Sequence, residues 1–226
     1  MAAAAGKKTN WFAIWISVGV VAVLVVAAVA VVWINSSATS AGPAPESDIV
    51  NAETGAVSVG EGEDVVATYI DFMCPICNQF EQIYGETLAG LVDDGSITLD
   101  YHPVAILDRY SQGTDYSTRA ANALYCVAES SPEAVSPFVQ AMYENQPAEG
   151  SAGLTDEQII DIAETAGATG IDACVTERTY DRFVAAMTRE MPADENGGRG
   201  TPTVVVDGER IQLTGDPQAD IVARLG

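Results

Sequence analysis

Lysine is almost missing from this 226-residue chain. The two that occur are Lys7 and Lys8, and no further lysine or arginine follows until Arg109. All 32 acidic residues and all eight arginines come after residue 45, which leaves that part of the chain a formal net charge of about −24. Such a surface excludes nucleic acid as a partner, because a phosphate backbone is bound by clustered basic charge. Anionic lipid headgroups repel it too, so the charged part is expected to stand off a membrane on a tether. Histidine is scarcer still. His102 is the only one, near the end of an expected strand before Pro103, and it reads as a structural residue rather than a catalytic base. Of the four cysteines, Cys74 and Cys77 lie together, while Cys126 and Cys174 are isolated. A tetrahedral zinc site therefore lacks its second ligand pair. Copper delivery through the thiol pair is the remaining non-enzymatic reading, and it finds no nearby Met cluster or suitably placed His to support it. No internal repeat is visible.

Charge is also absent from Trp11 to Ile34, where Ser17 and Gly19 are the only interruptions of an apolar run. As a helix this run spans about 36 Å against a hydrocarbon core of about 30 Å. A cleaved signal peptide is the alternative, since Lys7 and Lys8 resemble an n-region and small residues run from Ser36 to Ala41. Signal h-regions are only about 7–15 residues long, which favours a retained anchor. The lysines before the span keep the N-terminus inside. The expected organisation is a cytoplasmic segment 1–10, a transmembrane signal-anchor helix 11–34, a flexible tether 35–48 rich in Ser, Ala, Thr, Gly and Pro, and an exported domain 49–226. The location is then the cell membrane, crossed once, with the folded domain extracytoplasmic.

What the chain does have is Cys74-Pro75-Ile76-Cys77, directly after the apolar run Val65–Ile70. A strand running into CxxC is a redox layout. With Cys74 capping a helix and Pro75 at its first position, where a missing N–H costs nothing, the first thiol faces unpaired backbone N–H groups and the positive helix end. Thiolate is favoured there. Cys77, one turn on, can attack a mixed disulfide formed at Cys74. The same spacing also serves metal sites and inert bridges. Outside the cytosol disulfides persist, and four cysteines form two pairs. Three pairings exist in principle; the adjacent Cys74 and Cys77 leave Cys126 and Cys174 for each other, as a structural disulfide. Two free buried thiols are the competing reading.

Patterning gives the rest. Val65–Phe72 reads as a buried strand, Cys74–Ala89 as a helix with Phe80, Ile83, Tyr84 and Leu88 inward, and Ile97–Val104 as the next strand. Helical patterns fill about Tyr116 to Met191. Among them are a stripe through Ala120, Ala121, Leu124 and Ala128, and a helix opened by Ser131 and Pro132 that buries Val135, Phe138, Val139, Met142 and Tyr143. Thr155 and Gln158 form a capping box before Ile159, Ile160, Ile162 and Ala163. A short turn at Ile171–Val175 holds Cys174, and Thr179–Met191 buries Phe183, Met187 and Met191. Thr203–Val206, Asp207-Gly208 and Glu209–Leu213 read as a hairpin, followed by a helix capped by Asp216 with Pro217 first. The order is β-α-β, a helical insertion, then β-β-α.

Ile70-Asp71-Phe72-Met73-Cys74-Pro75-Ile76-Cys77 early and Gly200-Thr201-Pro202-Thr203 before the hairpin resemble the DsbA family of extracytoplasmic thiol-disulfide oxidoreductases, of the membrane-anchored Gram-positive and actinobacterial type. The likeness covers about residues 49 to 226. It implies an α/β thioredoxin fold with an inserted helical domain at about 115–192. Cys74 is then the nucleophile, Cys77 its partner, Pro75 and Ile76 the dipeptide between them, and Thr201-Pro202 a cis-proline turn facing them. It also implies no cofactor or metal, reduced exported proteins as substrates, and a quinone-linked membrane enzyme as reoxidant. Reductase or isomerase action at the same site is the alternative direction. Two departures bear on mechanism. Thr68 occupies the place where many relatives carry a buried carboxylate, leaving Asp71 or a water to take its role. Ile76 stands where strongly oxidising relatives often have histidine, so one source of thiolate stabilisation is missing.

Overall fold

The computed structural model describes residues 11–39 and 41–226. The expected cytoplasmic segment 1–10 lies outside them. Two compact units result, one up to Ser40 and one from Ala41 to Gly226.

The first unit is helix α1, Trp11–Thr39. Its stretch Ile14–Val31 is long and apolar enough to cross a membrane, and none of it is buried in the protein. The helix runs five residues past the expected end at Ile34. Ser and Thr are mediocre helix formers, but extending an existing helix costs only tenths of a kcal/mol per residue. Part of the stretch expected as a tether, residues 41–48, lies against the second unit. Ala41 and Ala44 pack on the core of the second unit and Pro45 is buried. Glu46 N–H donates to Glu129 Oε1 at 3.1 Å, and Ser47 Oγ donates to the Ala128 carbonyl at 2.7 Å.

The second unit is built on a five-stranded sheet of β1 (Val57–Val59), β2 (Asp64–Ile70), β3 (Ile97–Pro103), β4 (Thr203–Val206) and β5 (Glu209–Ile211). Their spatial order is β1-β3-β2-β4-β5. β2 and β3 are parallel, with Val66 opposite Leu99 and Thr68 opposite Tyr101; every other pairing is antiparallel. Parallel neighbours need a crossover, and helix α2 (Pro75–Asp93) supplies it. In β2, Val66, Thr68 and Ile70 turn inward at a spacing of two, which aims the end of the strand and the residues after it into the core. Asp207 and Gly208 both have positive φ, 48° and 85°, and close the β4–β5 turn.

Between β3 and β4 the chain makes five helices: α3 (Tyr116–Ser130), α4 (Val135–Glu144), α5 (Asp156–Thr165), α6 (Asp172–Thr176) and α7 (Asp181–Glu190). α3 is their axis. Its alanines at 120, 121, 123 and 128 are buried, and small side chains let neighbouring helices approach closely. Cys126 of α3 and Cys174 of α6 are joined by a disulfide, with Cα atoms 5.9 Å apart. The chain ends in α8 (Pro217–Asp220), whose start is capped by Asp216 through the N–H groups of Gln218 and Ala219. Thr155 and Gln158 form their reciprocal cap at α5.

Two local expectations are corrected, and one strand is added. Ile83 is 47 % exposed, because the inward stripe of α2 runs through Cys77, Phe80, Tyr84 and Leu88 and turns Ile83 away. Ser131 does not cap α4: its hydroxyl accepts from the N–H of Thr169, and a 3-10 turn at Pro132–Ala134 intervenes. Strand β1 was not anticipated from the sequence; at three residues it is too short to show alternation.

Candidate active site

The redox turn forms where β2 stops. Cys74 is extended, at φ −76° and ψ 116°, and caps α2 without a side-chain cap bond; Pro75 follows in the first turn. The first N–H groups of the helix are thereby left to the sulfur. Both cysteines are free thiols. Cys74 is 7 % exposed and Cys77 fully buried, whereas Pro75 is exposed and Ile76 is 54 % exposed. Thr201 and Pro202, which precede β4, come from the other end of the chain, joined by a cis peptide bond. The turn and the loop meet at sulfur: the Cys74 thiol donates to the Thr201 carbonyl oxygen at 3.4 Å.

Their surroundings split the two thiols. A hydrogen bond from Cys77, the Thr201 hydroxyl and the backbone N–H groups of Cys77 and Ile76 lower the Cys74 pKa to about 6 against the opposing effect of burial. Burial pushes Cys77 well above the usual thiol range, and the neighbouring Cys74 adds to the rise. While Cys74 is a thiol bonded to the Thr201 carbonyl, the buried Thr201 hydroxyl has no partner of its own; it is the neighbouring donor that a Cys74 thiolate takes up.

Asp71 lies just below, fully buried at the end of β2. Its carboxylate accepts from Met73 N–H at 2.9 Å, Leu107 N–H at 3.0 Å and Ser117 Oγ at 2.6 Å. Burial raises its pKa to about 6 in spite of these donors. Thr68 points into the core on β2, its hydroxyl 3.5 Å from the Asp100 carbonyl. His102 is buried and stacked on Tyr69 at 4.2 Å, away from the sulfurs in its contacts, and burial lowers its pKa.

The structure thus brings Cys74, Cys77, Pro75, Ile76, Thr201 and Pro202 into one place and holds Cys126 and Cys174 apart from them in the insertion. Sequence reading missed Gln146 and Asn78, which tie the insertion to the redox turn. No spacing pattern links residues so far apart along the chain. A groove of about 940 Å³ runs between α2 and α4 past Asn78, Glu81, Tyr101 and Tyr143, but neither sulfur lines it. The chemistry belongs to the surface at Cys74.

A thiol pair split in this way at a helix N-terminus, on this sheet order, defines a thiol-disulfide oxidoreductase of the DsbA type, which is an enzyme class. The chain belongs to the thioredoxin family, whose model matches residues 55–220. It is similar to the crystal structure of reduced DsbA from Mycobacterium tuberculosis, with TM-score 0.67 and 35 % identity over 75 % of this chain and 89 % of that one. Reduced DsbG from the same organism, a disulfide bond oxidoreductase, is matched with TM-score 0.67 and 35 % identity over 75 % of this chain and 85 % of that one. The serine/threonine-protein kinase PknE of M. tuberculosis is 32 % identical over 168 residues, 69 % of this chain. That match spans only 29 % of the kinase.

Proposed function

We propose that this chain is a membrane-anchored, extracytoplasmic oxidase that passes a Cys74–Cys77 disulfide to newly exported proteins. The observation that carries the reading is the opposed pair of thiols, Cys74 lowered to about 6 at the head of α2 and Cys77 driven well upward. A client thiolate attacks the Cys74 sulfur. The Cys74–Cys77 bond breaks, a client–Cys74 disulfide forms, and Cys77 leaves with the electron pair and takes a proton. A second client thiolate then attacks the client sulfur of that mixed disulfide and expels Cys74 as a stabilised thiolate. The client loses two electrons and the cysteine pair gains them. A quinone-linked membrane enzyme is the proposed acceptor that restores the disulfide.

Stabilising the thiolate of the reduced form makes its disulfide more oxidising, which favours the oxidase direction. Helix α1 supplies the anchor and positive-inside orientation puts the domain outside, with residues 1–10 in the cytoplasm. Reductase or isomerase action remains the second reading. The exposed, uncharged Ile76 between the cysteines, which offers the thiolate neither a positive charge nor a hydrogen bond from its side chain, is what favours it. The test is to incubate the oxidised domain with a reduced unfolded substrate and follow the substrate's thiols. Their stoichiometric loss, with the enzyme recovered as dithiol, supports the oxidase; failure to oxidise the substrate while oxidised substrates are reduced by the dithiol form reverses the direction.

A further inference from the structure

Pro75 leaves a gap in the redox turn. Phe72 has its carbonyl three residues before a proline, which has no N–H to offer, so the turn cannot close on itself there. The partner comes from the helical insertion instead. Gln146, two residues past the end of α4, sends its side-chain Nε2 to the Phe72 carbonyl at 3.0 Å and to the Cys74 carbonyl at 2.9 Å. Both amide hydrogens are used. Its Oε1 accepts from Asn78 Nδ2 at 3.1 Å, and the same Asn78 nitrogen donates to the Tyr143 carbonyl at 2.9 Å. Asn78 is in turn held by Gln82, whose Nε2 donates to Asn78 Oδ1 at 2.8 Å. Gln146 itself is fixed by its own N–H, which donates to the Tyr143 carbonyl at 3.2 Å.

We propose that Gln146 is a positioning residue for the redox pair: its amide, reaching across from the insertion, fixes the turn that presents Cys74 and offsets the partial negative charge of the Cys74 carbonyl. This deepens the reading of Cys74 as nucleophile and rests on it. The physical argument has two parts. The N–H groups of Ile76 and Cys77 stabilise the Cys74 thiolate only while the turn keeps them aimed at it, and Gln146 fixes the carbonyls on both sides of Met73 and Cys74. The Cys74 carbonyl also carries partial negative charge close to its own sulfur. The Cys74 carbonyl already accepts from the N–H groups of Cys77 and Asn78, and a third donor from Gln146 offsets it further. The insertion thereby acts on the Cys74 thiol through the backbone of the turn.

The test uses the reduced protein with its anchor in detergent, an aromatic disulfide as reporter, and the thiolate's ultraviolet absorbance as a second readout. Gln146→Leu keeps the size and removes both donors. It is expected to raise the Cys74 pKa by about one unit. The reaction with the reporter then slows several-fold near pH 6, where the thiolate fraction falls, and is nearly unchanged near pH 8. A purely structural role would lower the melting temperature and slow the reaction equally at both pH values, or leave the rate alone, and either result overturns the proposal. If Gln146→Leu does not fold, Asn78→Ala, which frees Gln146 Oε1, is expected to shift the same profile in the same direction by a smaller amount. An unmoved profile there counts equally against the proposal. Failure of the underlying reading looks different: the wild-type protein itself then shows no low-pKa thiol and no exchange at Cys74.

Discussion

Cys74 and Cys77 are the same residue type three positions apart, and everything that separates them chemically is in their surroundings. Cys74 has hydrogen-bond donors beside its sulfur and a slight exposure, whereas Cys77 has full burial and a neighbouring sulfur. Cys77→Ser is therefore expected to accumulate mixed disulfides with a client, and Cys74→Ser to form none. Non-reducing electrophoresis reads this directly, and trapping by the Cys74→Ser variant would reverse the roles. Thr201 is tested by its orphaned hydroxyl. Thr201→Val removes a donor of roughly 1.5 kcal/mol to a charged acceptor, so the Cys74 pKa is expected to rise by about one unit. An unchanged thiolate titration would show that the hydroxyl does not serve the sulfur.

The pH dependence of stability follows from the same residue. The folded pKa of Cys74, about 6, lies below that of an unfolded thiol, about 8.5. Its contribution is thus fully present above about pH 8.5 and is lost as pH falls through about 6. Asp71 works in the opposite sense: its folded pKa, also about 6, is raised, so its contribution is lost as pH rises through that value. Asp71 is present in both redox forms, so its effect largely cancels when reduced and oxidised protein are compared. The melting temperature of the reduced form, relative to the oxidised, is expected to climb between about pH 6 and pH 8.5 and stay flat below pH 6. Calorimetry showing a flat difference across that window would refute the lowered pKa.

Among the elements, those with a local chemical signature were legible in the sequence. Two residues with positive φ at the β4–β5 turn need Asp-Gly or its like, and the capping box of α5 needs Thr and Gln three apart. The redox turn was legible for the same reason, since a cap, a proline and two thiols are all within four residues. Elements fixed by distant partners were not. Ser131 had the chemistry of a cap, but Thr169, 38 residues on, took its hydroxyl. Asp71 accepts from residues 36 and 46 positions away, and Gln146 reaches back 72 and 74. A single sequence carries no trace of such pairings. The disulfide between α3 and α6 is the element-scale prediction. With its cysteines 48 positions apart, the chain-entropy model gives about 4 kcal/mol of stabilisation. Replacing both Cys126 and Cys174 by Ala is expected to lower the melting temperature markedly and leave most of the exchange activity. A variant that folds normally yet fails to turn over would make the pair a redox relay.

At the scale of the whole molecule the chain is a charge-segregated object: an apolar helix preceded by two lysines, and an acidic domain that contains every arginine. That charge pattern is compatible with the proposed membrane-anchored enzyme. Direction of electron flow is a property of the whole fold, because the fold sets how far the reduced pair is stabilised. Missing a charged or hydrogen-bonding residue at Ile76, the site depends on the N–H groups of α2, on Thr201 and on Cys77 for its thiolate. The reduction potential of the Cys74–Cys77 couple, measured by equilibration with glutathione, tests the proposed oxidase most directly. The expected value is about −180 mV or more oxidising, toward the roughly −120 mV of the strongest oxidants of this class; a value near about −270 mV, typical of a reductase, would contradict it.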